Sequence, residues 1–187
     1  LAEDLSQTDL DEGIFHEAVY TIFNILCLIA LKQNAYNLEP RLLVWLDQAK
    51  KKVIQWEHLN PSTFSAPSFL IQAEQAALEA SSAKVIYLYE SAIETAEQNS
   101  LPLFQALANE RLGLYRLKKG QASLGLAFLE ESIRLYASWG AQAKTSELRQ
   151  FIKEKCQTDT IATGINIDWQ TLITASQQLS RPLDLHN

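Results

Sequence analysis

The sequence contains no methionine, two cysteines, six glycines and five prolines among 187 residues. Each shortage removes a class of readings. A chain of this size without one Met, even at position 1, reads as a piece of a longer protein. Cys27 and Cys156 stand too far apart in sequence to give a redox or metal-binding spacing, so the expected setting is a reducing cytoplasm. Cys27, within an apolar run, reads as a small core residue. Scarce Gly and Pro beside abundant Ala, Leu and Gln favour helix throughout. No uncharged apolar run reaches the roughly 20 residues that a membrane span requires. The longest, Ala18 to Leu31, is interrupted by Tyr20, Thr21 and Asn24 and is expected as a helix buried on most sides. Positive charge is also short: 16 Lys and Arg against 22 Asp and Glu leave a net charge of −6. A net acidic chain suits neither nucleic acid nor anionic lipid. Lys50, Lys51 and Lys52 form the tight basic run, which reads as a solvated helix face.

Recognisable chemistry is scarce as well. There is no Gly-x-x-x-x-Gly-Lys-Ser/Thr loop, no Gly-x-Gly-x-x-Gly and no Gly-x-Ser-x-Gly. His16-Glu17 has the order of a phosphoacceptor pair but lacks the Arg-Thr-Pro pattern that would follow it. His58 sits at a helix end, where a cation is favoured. Glu130 and Glu131 diverge by about 100° on a helix and do not converge on one substrate. No catalytic constellation, cofactor or metal is therefore expected of this chain.

What the sequence does carry is helix. Apolar residues make up 47% and charged ones 20%, which places it among folded chains. The expected helices run from about Ile14 to Lys32, from Pro40 to His58, from a Ser65 or Ser68 cap to about Ala80, from Ala83 to Gln98, in a pair from Pro102 to Tyr136, and from about Ala141 to Cys156. Asn60-Pro61-Ser62 reads as a turn. Leu43, Trp45, Leu46, Ala49, Val53 and Trp56 include steps of three and four, which mark a buried stripe. The organising stretch is Phe104 to Trp139. It reads as two helices broken at Lys119-Gly120, with small residues at Gly113, Gly125 and Ser132 where the two must approach closely.

Residues 69–98 laid on 109–138 reveal a repeat with an offset of 40. Ala73 meets Gly113, Tyr89 meets Leu129, Ala92 meets Ser132 and Ile93 meets Ile133. Helix pairs repeating at about 40 residues are the signature of a helical solenoid. The fold expected is all-α: a tetratricopeptide-like solenoid of antiparallel helix pairs over residues 1–156. Residues 157–167 read as a polar linker, and 168–187 as a tethered terminal helix. Asp168 is its N-cap, Trp169, Leu172, Ile173, Ser176 and Leu179 share one face, and Pro182 ends it.

Several stretches together resemble one family. They are Asp47-Gln48-Ala49-Lys50-Lys51-Lys52-Val53-Ile54-Gln55-Trp56 with Asn60-Pro61, Phe69-Leu70-Ile71-Gln72-Ala73-Glu74, Tyr89-Glu90-Ser91-Ala92-Ile93, Ala106-Leu107-Ala108-Asn109-Glu110-Arg111, Tyr136-Ala137-Ser138-Trp139-Gly140-Ala141-Gln142-Ala143-Lys144, and Thr174-Ala175-Ser176-Gln177-Gln178-Leu179-Ser180. Their order resembles the helical region of large multidomain sensor proteins. Those carry a serine/threonine-kinase-like domain, a STAND-type AAA ATPase, a tetratricopeptide-like array, a GAF domain and usually a histidine kinase. The resemblance covers roughly residues 15–181 and places the piece just upstream of the GAF domain. The ATPase and kinase motifs are absent here, so those activities do not carry over.

The resemblance implies a non-catalytic scaffold that relays a signal between other domains of its parent chain. The tethered amphipathic helix, residues 168–181, is expected to dock on its own chain, on a second copy to give a homodimer, or on a part outside this piece. A peptide-binding adaptor using the concave solenoid face is the alternative. Its candidate contacts are Glu74, Glu110 and Lys118, with Trp169, Leu172 and Ile173 on the terminal helix. Glu110, Arg111 and Lys118 beside Glu74 and Gln75 mix charge signs, which argues against a dedicated receptor for acidic tails.

Overall fold

A computed structural model describes residues 5–79 and 82–163, with side chains for 16–78 and 82–155. Among these residues there are seven helices and no strand. They are α1 (Leu5–Gln33), α2 (Pro40–Leu59), α3 (Pro61–Glu79), α4 (Ser82–Gln98), α5 (Pro102–Lys118), α6 (Ala122–Ser138) and α7 (Gln142–Thr163). The chain divides into two compact units, residues 1–112 and 113–187, with the boundary inside α5.

Local chemistry sets the helix limits. Pro40, Pro61 and Pro102 each occupy the first helical position, where the missing N–H costs nothing and the fixed φ suits the helix. Four helices end alike. Ala35, Ser100, Gly120 and Gly140 take positive φ of 59°, 55°, 76° and 87°. After each, the chain doubles back: Tyr36 N–H donates to Leu31 O, Leu101 to Ala96 O, Gln121 to Arg116 O and Ala141 to Tyr136 O. This is the left-handed cap that satisfies the last free carbonyls of a helix. From α4 onward the helices begin at Ser82, Pro102, Ala122 and Gln142, at steps of twenty residues. Two such steps make the 40-residue offset visible in the sequence.

Two boundaries differ from expectation. Asn60-Pro61-Ser62 is not a separate turn, and neither Ser65 nor Ser68 caps α3. Asn60 closes α2 by donating its N–H to Trp56 O at 2.8 Å, and its Oδ1 accepts the Thr63 N–H at 3.3 Å to open α3. One residue therefore serves both helices. The helix then runs through Pro67, which withholds a bond from the Thr63 carbonyl. The expected linker is also shortened, since α7 continues through Thr163. Residues 157–163 contain no helix breaker, and the first glycine is Gly164. The rest of the linker and the expected terminal helix, including Trp169, Leu172 and Ile173, lie outside the described residues.

In the first unit, α3 is the central helix: it packs against α1, α2 and α4. The core joins Ile22, Ile25 and Ile29 of α1 to Leu46, Ala49 and Val53 of α2 and Ile71 of α3. Those steps of three and four place one stripe of each helix inward, and each fully buried Ile contributes about 2 kcal/mol. The α2 stripe is narrower than expected, because Leu43 is exposed and Trp45 and Trp56 are partly buried. α1 is not buried on most sides either. Tyr20 is exposed and so is Cys27, which sits about 200° around the helix from Ile25. Phe23 of α1 stacks on Phe104 of α5 with ring centres 6.5 Å apart, and Trp56 packs on Phe64 at 5.5 Å.

In the second unit α6 packs on α7. The last turns of α5 meet α6 backbone to backbone at two glycines. A Cβ on Gly113 would lie 2.8 Å from the Gly125 carbonyl oxygen, and one on Gly125 would lie 2.9 Å from that of Gly113. The close approach expected from these small residues is present. Ser132, the third, is fully buried and donates its hydroxyl to Leu129 O at 2.8 Å.

Candidate functional site

The most unusual chemistry lies on the inner face of α3. Leu70, Ile71, Ala73 and Ala76 are buried there, and between them stands Glu74, only 2% exposed. A bare carboxylate in such a place would cost several kcal/mol. Here its oxygens are fully engaged by three other helices. Oε1 accepts the Tyr89 hydroxyl of α4 at 2.8 Å and the Arg111 Nε–H of α5. Oε2 accepts Arg111 Nη2 at 2.8 Å and Gln33 Nε2 of α1 at 2.9 Å. Gln33 Nε2 also reaches the Glu74 carbonyl at 3.1 Å. α1, α3, α4 and α5 thus meet at one ionised group, in the bidentate geometry that gives a guanidinium–carboxylate pair its strength.

The electrostatics follow from this geometry. The hydrogen bond to Glu74 raises the Arg111 pKa against the opposing effect of burial; the charges of Glu74 and Glu110 add to it. Burial pushes the Tyr89 phenol well above its usual value, and the Glu74 charge raises it further. Beside the Glu74 carboxylate the cluster therefore holds a firmly charged guanidinium and a phenol kept in its neutral form.

A cleft of about 190 Å³ opens beside the ion pair, with Phe23, Leu26, Leu70 and Leu107 as apolar lining and Glu74 and Arg111 as its charged part. The exposed Cys27 also lines it. A second cleft, about 290 Å³, lies between α2 and α3. Val53 and Ile71 supply its apolar part, and Lys50, Lys51, Gln72 and Gln75 its polar part. Lys50 Nζ donates to Gln75 Oε1 at 3.3 Å, and Lys51 pairs with Asp47 at 2.8 Å. Lys51 holds the Asp47 pKa below its usual value, through the hydrogen bond first and its charge second. Lys52 pairs with Glu17 of α1 and lies 5.1 Å from the Trp56 ring centre. Lys51 and Lys52 are exposed, as a solvated face would be, and their ion pairs lie at the surface.

The expected contact residues fall differently. Glu74 and Glu110, read as facing a peptide, are both buried. Glu74 is turned inward because its carboxylate joins the helices. Lys118 is exposed in the last turn of α5, within the second unit. Gln33, Tyr89 and Arg111 were not read as partners of Glu74. The signal was a lone carboxylate among Leu70, Ile71, Ala73, Ala76 and Ala77, a position that demands a buried counter-charge. No protein-family model, curated protein or solved structure matches the chain.

Proposed function

We propose that this chain is a non-catalytic helical scaffold that passes a signal between other domains of a larger sensor protein. The observation that carries the reading is the Glu74 cluster. The most buried carboxylate of the described residues spends all four of its hydrogen bonds on joining four helices, not on a substrate. The regular twenty-residue succession of helices supports a repeat built for contact surface, and the family resemblance supplies the multidomain context. In this reading the helix pairs are antiparallel and tetratricopeptide-like, the setting is cytoplasmic, and two copies associate through residues 168–181.

Light scattering on the whole chain tests the association. A dimer that becomes monomeric when Leu172 and Ile173 are both replaced by Ser supports it. A monomeric parent chain, or a dimer indifferent to the substitutions, refutes it.

The α2–α3 cleft favours a second reading, a peptide-binding adaptor. Its apolar floor and amide-and-lysine rim suit an extended segment that alternates apolar and acidic side chains. In that case the contacts are Lys50, Gln72 and Gln75 rather than the buried Glu74 and Glu110.

A further inference from the structure

The Arg111 guanidinium has five N–H donors. Glu74 takes two of them, on Nε and Nη2. The Tyr89 phenol also lies within hydrogen-bond reach of the guanidinium, which still leaves at least two of the five donors outside the ion pair. Arg111 is 30% exposed at its side chain and lines the cleft whose other residues are Phe23, Leu26, Leu70 and Leu107. Polar groups at the edge of an apolar recess must be met by water or by a ligand. The fork is also rigid, because the Glu74 carboxylate grips it at two points. A donor held in place before binding loses little freedom when it binds.

The charge balance narrows the class of ligand. Glu74 already neutralises Arg111, and the Glu110 charge is close enough to act on Arg111. A second full anion is therefore penalised, whereas a neutral oxygen that only accepts hydrogen bonds is not. The volume, about 190 Å³, is below that of drug-sized pockets, which begin near 300 Å³. It suits one ring or one branched chain.

We infer that the cleft between α1, α3 and α5 in the first unit is a binding site for a small neutral carbonyl compound. Its apolar body lies against Phe23, Leu26 and Leu107, and its carbonyl oxygen accepts from the outer edge of Arg111. This site is independent of the scaffold reading, and either stands if the other fails.

Cys27 supplies the reporter, as an exposed thiol lining the same cleft. The whole chain is treated with iodoacetamide, with and without phenylacetamide, and alkylation is followed by mass at the Cys27 peptide. The expected result is saturable slowing of at least about fivefold, with a millimolar dissociation constant appropriate to so few atoms. Phenylacetate is the charged control and should bind at least about threefold more weakly, a modest like-charge penalty. Ala30→Leu fills the cleft without touching the ion pair and should abolish the protection. Arg111→Lys keeps the charge but loses the fork, and should weaken binding about tenfold. Where Arg111→Lys does not fold, the apolar pair Glu74→Leu with Arg111→Leu replaces it, and loss of protection is again expected. No slowing at tens of millimolar overturns the site. Equal protection in the Ala30→Leu chain also overturns it, and tighter binding of phenylacetate overturns the neutral class.

Discussion

Removing Arg111 while leaving Glu74 should destabilise the first unit far more than removing both. Arg111→Leu deletes two of the four hydrogen bonds at the carboxylate and leaves the charge to Gln33 and Tyr89. Breaking a buried pair on one side typically costs 3–5 kcal/mol. The two remaining neutral donors offset about 1 kcal/mol each at most, and the partial exposure of Arg111 lets water reach the site. About 3 kcal/mol is therefore expected for Arg111→Leu, and about 3 for Glu74→Leu, which leaves the guanidinium without its counter-charge instead. The double replacement removes both charges together and leaves Gln33 Nε2 its bond to the backbone carbonyl of residue 74. It should fall within about 1–2 kcal/mol of the parent chain, since apolar side chains of similar volume often replace a buried ion pair at little net cost.

The assay is urea unfolding of all four chains, with hydrogen exchange at the α3 amides to locate the loss in the first unit. The coupling energy from the cycle should be about 4 kcal/mol. Additive single effects, with the double variant losing about 6 kcal/mol, would refute the reasoning. So would an Arg111→Leu chain whose α3 amides exchange no faster than those of the parent.

Tyr89 provides a pH test. Its folded pKa lies above the unfolded value of about 10, so the unfolded chain releases this proton first. The stability linked to Tyr89 is complete below pH 10 and is lost as pH rises toward the folded pKa, amounting to about 1.4 kcal/mol one unit above 10. The difference in urea midpoint between the parent chain and Tyr89→Phe should accordingly shrink between pH 9 and about pH 11; a constant difference would contradict the assignment. Gly113→Ala should cost about 1–3 kcal/mol by overpacking, despite the better helix propensity of Ala, because the nearest obstruction is the Gly125 carbonyl; an unchanged melting temperature would show that the close approach is relaxed in solution. Ser100→Gly should gain about 0.5–1 kcal/mol by relieving a left-handed residue, whereas Gly140→Ala should lose about 1, both measured by thermal unfolding.

The seven helices were readable because their punctuation is local. Pro40 and Pro102 announce helix starts, and Gly120 and Gly140 announce helix ends. Apolar steps such as Ile22, Ile25 and Ile29 name the inward face. Errors arose where one residue serves two purposes. Asn60 both closes α2 and opens α3, so the turn expected there has no residues left to form it. Ala35 and Ser100 adopt left-handed caps usually given to glycine, and nothing in their side chains signals it. The cluster was hidden for a different reason. Its members stand at positions 33, 74, 89 and 111, and no spacing rule links residues that meet only when four helices are packed. Glu74 was singled out for the wrong environment, because charge on a repeat helix ordinarily faces a ligand groove.

The placement of Glu74 has a consequence for α3. The surfaces α3 buries are dominated by Leu, Ile, Ala and Val, which tolerate sliding and rotation of one helix against another at modest cost. An ion pair does not. One turn of displacement moves Glu74 by about 5.4 Å, enough to break every bond it makes to α1, α4 and α5. The Leu/Leu double variant should therefore retain helix content and most of its stability, yet show broadened methyl NMR signals from Leu70, Ile71 and Val85 as α3 samples more than one register. Sharp signals in that variant would mean that apolar shape alone fixes the register and that the Glu74 cluster contributes only stability.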